Sequence, residues 1–205
     1  MRTAFANIIA VGLASAILAV SLAFVPACNY APAPNGAYDA ANPDDCLPAV
    51  PLVDQNGNHV SLAALKGKPV LVDFIYTSCP GPCSVLTSKL VGVAKDLGPK
   101  LGAQVRMVSI SLDPENDTPK KLKDYADRLG AQTSGWLFLT GTPQQVDQVL
   151  ATYKLRRLRE ADGSVSHMET MFLLGPDGRQ RRIYNGVEVQ PGLLSAEAEA
   201  LAGRG

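Results

Sequence analysis

Two cysteines four positions apart, Cys79 and Cys83, are the residues of this chain best placed to do chemistry. They stand in Cys79-Pro80-Gly81-Pro82-Cys83. Pro80 keeps Cys79 out of helical geometry, and Pro82 does the same to Gly81. Pro82 also suits the first position of a helix. Cys79 is therefore expected on a loop and Cys83 in the first turn of a helix, whose positive end favours thiolate over thiol. Two thiolates at such a turn can close as a disulfide or grip a soft metal ion. A disulfide here would close a loop of only five residues counting both cysteines. The chain-entropy gain from so short a loop is small, about 2 kcal/mol, which favours a reversible pair over a structural staple.

The flanking residues supply the elements that must position this pair. Val70 to Tyr76 is rich in Val, Ile and Phe and reads as a buried strand. Val85, Leu86, Lys89 and Leu90 give the following helix its period. Upstream, Pro51–Asp54 and His59–Leu62 flank Asn56-Gly57, a hairpin-turn signal, and His59 reads as an exposed histidine. Downstream, Val105 to Leu112 is a second buried strand. Asp117 or Thr118 can cap a helix with Pro119 at its first position. That helix repeats Leu122, Tyr125, Ala126 and Leu129 and stops at Gly130. Trp136 to Leu139 is a third strand, and Thr142-Pro143 opens a helix with Val146, Val149, Leu150 and Tyr153 on one face. Residues 156–166 read as a polar, hairpin-like connection around Asp162-Gly163. Met171–Leu174 and Arg182–Tyr184 form a hairpin about Pro176-Asp177-Gly178, and Leu193 to Leu201 is a closing helix. Strands alternating with helices argue an α/β fold with a mainly parallel sheet covered on both faces. The closing hairpin makes the sheet mixed. This is the thioredoxin-like architecture with an N-terminal β-hairpin extension.

The chain has 205 residues, enough for one domain and a short extension. Its 19 basic and 19 acidic residues cancel, so it lacks the basic surplus that nucleic-acid binding requires. Arg156, Arg157 and Arg159 read as a solvated charged face. At the N-terminus, Arg2 precedes an apolar run from Ala4 to Val25, which has the form of an export signal. The run also approaches the ~20 residues that span a bilayer. Val25-Pro26-Ala27-Cys28 resembles a lipoprotein cleavage box, making Cys28 a lipidation candidate; an uncleaved anchor helix is the alternative. Either route places the domain outside the cytoplasmic membrane, attached to it and facing the periplasm or cell exterior, in an oxidising setting. The expected organisation is a signal or anchor over 1–28, a tether over 29–48 and a folded domain over 49–205. Without Cys28 an odd number of cysteines remains, and Cys46, in a Pro- and Asp-rich stretch, reads as an incidental free thiol.

Three segments together resemble the Sco/SenC family, copper-binding proteins that help assemble cytochrome c oxidase. They are Phe74 to Cys83; Val108 to Pro119, with Leu139 to Thr142 further on; and His167 followed by Met171 to Gly178. The resemblance spans about Leu52 to Leu194. It implies metal ligands at Cys79, Cys83 and His167, copper as the metal, and the copper-site subunit of cytochrome c oxidase as partner, with a copper donor protein upstream. The family usually has Pro after the second cysteine, where this chain has Ser84, and Asp before the histidine, where it has Ser166. Asp147 matches an acidic position of the family, which implies a supporting role near the ligands.

Two thiolates and one imidazole make a soft, low-coordinate set suited to Cu(I), and to Cu(II) if the site relaxes. A structural zinc site wants four protein ligands, so three fit a metal that must later leave. The leading expectation is a non-enzymatic copper metallochaperone. The alternative is a thiol-disulfide oxidoreductase that keeps the cysteines of the oxidase copper site reduced. Redox proteins of this fold carry Cys-x-x-Cys and a proline before the facing strand; here the spacing is longer and His167 stands in that region. A thiol peroxidase comes last, since Thr77 has no Arg near it in the loop. Met168 reads as packing or facing solvent.

Overall fold

A computed structural model of the chain describes residues 47–79, 81–131, 134–185 and 189–203, apart from the side chains of Pro82, Cys83 and Asn185. The apolar run from Ala4 to Val25, Cys28 and Cys46 lie outside the described residues. Among those described, no helix is long and apolar enough to cross a membrane.

Strands form along the described residues, the central ones where the sequence is apolar and β-branched. They are β1 (Pro51–Asp54), β2 (His59–Ser61), β3 (Val70–Ile75), β4 (Arg106–Ser111), β5 (Trp136–Thr140), β6 (Leu158–Arg159), β7 (Val165–Ser166), β8 (Thr170–Leu174) and β9 (Gln180–Asn185). The helices are α1 (Pro82–Leu97), α2 (Pro119–Leu129), α3 (Pro143–Thr152) and α4 (Pro191–Ala202), each with proline in its first turn. Seven strands make one mixed sheet in the order β2-β1-β5-β4-β3-β8-β9, and β6 and β7 pair separately. β3, β4 and β5 run parallel, whereas β8 pairs antiparallel with β3 and with β9. This is the expected thioredoxin-like arrangement. The N-terminal hairpin turns at Gly57, whose φ of 85° is left-handed, and it joins the main sheet through β1 and β5. His59 is exposed, as expected.

Alternate residues of the central strands feed two cores. Leu71, Ile75, Met107, Trp136, Phe138 and Met171 pack with Leu86 and Leu90 of α1, Leu122 and Tyr125 of α2, and Leu194 of α4. Val70, Val72, Phe74, Val108, Ile110 and Phe172 pack with Val146, Val149 and Leu150 of α3 on the other face. Folded contacts begin before Ala49: Leu47 is buried and its N–H donates to the Gly178 carbonyl. Thr118 rather than Asp117 caps α2, accepting from the Lys121 N–H at 3.3 Å. The expected polar connection over 156–166 contains the β6–β7 hairpin.

One acidic side chain interrupts the apolar centre. Asp73 in β3 is 1% exposed. Its Oδ1 accepts from Ser109 Oγ at 2.5 Å, and Ser109 Oγ accepts from Trp136 Nε1 at 2.9 Å. Oδ2 is buried with no partner. Burial pushes the carboxyl up to about 7. In the unfolded chain the same carboxyl ionises at its ordinary value, so between the two values the unfolded state loses its proton first. Stability therefore falls as pH rises from about 4 to about 7 on account of this group. We expect Asp73→Asn to match the parent near pH 4 and to be more stable at pH 8. The gain should be at most a few kcal/mol, since one pKa unit is worth about 1.4 kcal/mol. Denaturant unfolding at both pH values checks this; a difference that does not grow with pH would contradict a buried ionisable Asp73.

Candidate metal centre

Cys79 lies on the loop between β3 and α1. Its thiol is free and half-buried against the core below β3. Its N–H donates to the Tyr76 carbonyl at 3.2 Å, which folds the loop back onto the end of the strand. Cys83 is the second residue of α1, as the Pro82 signal implied; its side chain lies outside the described residues. Ser84 takes over the work of turning the chain into α1. Both its N–H and its Oγ donate to the Gly81 carbonyl, the Oγ at 2.8 Å.

His167 reaches the same end of the sheet from the opposite direction. β3 and β8 pair antiparallel with Val70 across from Leu174 and Val72 across from Phe172. Carried beyond the strand ends, that register sets Thr77 across from His167. The contact is made by Tyr76, whose ring meets the imidazole edge-on with centroids 6.1 Å apart. Cys79 and His167 thus both touch Tyr76, one through its carbonyl and one through its ring. His167 Nδ1 lies 3.1 Å from the Met168 carbonyl oxygen. A carbonyl only accepts, so this hydrogen bond requires the proton on Nδ1, which in the neutral ring leaves the lone pair on Nε2. The contact with this backbone carbonyl fixes the orientation of the ring, in a chain that has Ser166 rather than Asp before the histidine. Among the described residues no group of three His, Cys, Asp or Glu side chains could hold a metal ion.

A carboxylate that the sequence offers only as a helix cap holds the cysteine loop. Asp117, 1% exposed, accepts from the Thr77 N–H at 3.1 Å, from Thr77 Oγ1 at 2.6 Å and from Ser111 Oγ at 2.6 Å. Burial raises its pKa, and these donors act against that rise. The sequence carried one signal for it, an acid soon after a buried strand, but no sign of its partner forty residues earlier in the chain.

Asp147 makes its close contact with Arg157 Nε, at 2.8 Å. The arginine cluster is not a uniformly solvated face. Arg156 is exposed, but the Arg157 side chain is 12% exposed and paired with Glu115 and Asp147, and Arg159 pairs with Asp113 and Glu115. The Arg157 guanidinium holds Glu115 below the usual carboxylate range. Acids over forty residues away in sequence cause the difference. Met168 is 66% exposed.

The SCO1/SenC family pattern matches residues 39–202. The chain belongs to the SCO1/SenC family. The SCO1 protein homolog of Bacillus subtilis is 38% identical over 141 residues, covering 67% of this chain and 72% of the relative. Bradyrhizobium japonicum ScoI, solved with copper bound, superposes with a TM-score of 0.64 at 29% identity, over 74% of this chain and 96% of that one. BsSco, a member of the Sco family of cytochrome c oxidase assembly proteins in which a disulfide switch was identified, gives a TM-score of 0.67 at 33% identity, over 77% and 94%. These likenesses to SCO1/SenC proteins extend across nearly all the described residues.

In this SCO1/SenC protein, Asp117→Asn would present an amide where the carboxylate meets three donors. A buried donor left unpaired costs about 1–3 kcal/mol. We expect a stability loss of that size in denaturant unfolding, with faster hydrogen exchange at the Thr77 amide. An unchanged unfolding midpoint with a protected Thr77 amide would show that Asp117 does not hold the loop.

Proposed function

We propose that this protein is a copper metallochaperone that holds its cargo through Cys79, Cys83 and His167 and delivers it to the copper-site subunit of cytochrome c oxidase. The observation that carries this reading is the convergence of the Cys79 loop and the His167 ring on Tyr76, with the His167 proton on Nδ1. Membership of a family with a copper-bound relative of similar fold supports it.

The donor set fits the cargo. Thiolate sulfur and neutral imidazole suit Cu(I), and three ligands leave a position for an incoming ligand. A thiol must ionise before it binds, so binding releases protons and requires reduced cysteines. The start of α1 favours the thiolate of Cys83. The oxidising compartment inferred from the N-terminal run supplies a reason for reversible Cys79–Cys83 closure: oxidation would empty the site. On this reading the chain is attached to the cytoplasmic membrane, by lipid at Cys28 or by an uncleaved helix, and faces the periplasm or cell exterior.

A second reading has an observation in its favour. The relative with a disulfide switch, together with the position of Cys83 one turn from the Cys79 loop, suits a thiol-disulfide oxidoreductase acting on the cysteines of the oxidase copper site. Both readings use the cysteines, so His167 separates them. We expect His167→Ala to weaken Cu(I) binding at least ~10-fold, taking loss of a ligand to cost no less than loss of a ligand's partner. The Cys79–Cys83 reduction potential should change little. Anaerobic Cu(I) competition titration and redox equilibration of both proteins decide the matter. Unchanged copper affinity with a large shift in potential would favour the oxidoreductase.

A further inference from the structure

The loop from Asp113 to Asp117 is bonded on both sides to the segments that carry the candidate ligands. On one side Asp117 takes the N–H and hydroxyl of Thr77, two residues before Cys79. On the other side, Glu115 receives Arg157 through two parallel bonds of 2.8 and 3.0 Å. Arg157 also donates to the Leu112 carbonyl at 3.2 Å and to Asp147 at 2.8 Å. Arg159 Nη2 donates to Asp113 and, at 3.2 Å, to Glu115. Asp113 is buried, and both its oxygens also accept from Asn116 Nδ2 at 3.0 Å. Such a bidentate, partly desolvated network is stronger and more directional than isolated surface pairs.

Arg157 leads directly into β6. β6 pairs with β7 through Leu158 and Ser166, and Ser166 precedes His167. One short loop is thus tied to the cysteine arm through Thr77 and to the histidine arm through Arg157 and Arg159. We propose that residues 113–117 form a two-armed clamp that sets the separation of the cysteine pair from His167, so that Thr77 and Arg157 are positioning residues of the metal centre. This rests on Cys79, Cys83 and His167 being the copper ligands. The ligands come from segments about ninety residues apart, and a soft ion held by few donors loses affinity when one donor drifts. Groups that orient metal ligands are worth ~10–100-fold in affinity.

The test is epistasis with His167. Cu(I) affinity is measured anaerobically on the reduced full-length chain for Thr77→Val and Arg157→Gln, each with His167 present and in His167→Ala. Because Arg157 acts through the histidine arm, Arg157→Gln should weaken binding by ~10-fold when His167 is present. In His167→Ala its effect should shrink below ~2-fold, the scatter expected of independent sites. Thr77→Val acts through the cysteines, so it should weaken binding in both backgrounds. It should also shift the Cys79–Cys83 reduction potential of the metal-free protein, which Arg157→Gln should leave in place. If Arg157→Gln fails to fold, Glu115→Gln weakens the contacts of both Arg157 and Arg159 with the loop while Arg157 keeps Asp147 and Leu112, and it should show the same dependence on His167. Equal weakening with and without His167 would mark a general packing defect and overturn the clamp, as would no weakening at all. If His167→Ala alone leaves copper affinity unchanged, the copper-ligand reading fails and the clamp fails with it.

Discussion

The antiparallel pairing of β8 with β3 is the constraint on which the candidate centre depends. β3 ends where the cysteine loop begins, and β8 begins just after His167. Parallel strands would put the end of one beside the end of the other. The antiparallel register of Val70 with Leu174 and Val72 with Phe172 instead sets the end of β3 beside the start of β8. A slip of one residue would move Phe172 and Leu174 to the opposite face and take Tyr76 away from His167. Burial on both faces opposes that slip, because every residue of β3 and β8 is buried.

The parallel neighbours of β3 complete the setting. Loops that leave the carboxyl ends of adjacent parallel strands gather at one edge of an α/β sheet, the usual place for function. Here the loop after β3 carries Cys79 and the loop after β4 carries the acids from Asp113 to Asp117. Strand pairing alone brings these loops close, through Ile75 with Ser111. Asp117 then turns proximity into bonds by satisfying two donors of Thr77 that a loop would otherwise present to water. The same acidic loop balances the charges of Arg157 and Arg159, so two of the three arginines are consumed by structure while Arg156 stays exposed.

Two buried acids therefore do different work in one fold. Asp117 is surrounded by donors and organises a loop. Asp73, two residues before the end of β3, has one donor and an oxygen with none. A buried, partly satisfied carboxyl is a cost to the fold, and the network through Ser109 and Trp136 offsets only part of it. On the proposed reading the metal centre itself stays outside this buried region, at the loop and first helical turn that follow β3 and the segment that precedes β8.

The sequence by itself determined most elements and their order. Apolar runs, prolines at helix starts, Gly57 and Gly130 act over a few residues, and local sterics and burial decide them. It also placed Cys79 on a loop and Cys83 in the first helical turn, because proline restricts its neighbours wherever it stands. His167 became a candidate only through a family resemblance, since a lone histidine before a strand has no local signature. Tertiary structure alone decided what His167 touches, that the Met168 carbonyl holds its proton, that Asp117 serves Thr77 while Thr118 caps α2, and that Arg157 is nearly buried. Each of these pairs residues brought together by sheet register or loop packing. Hydrogen bonds and ion pairs between distant segments leave no periodicity in a chain; they exist only once the strands have chosen their neighbours.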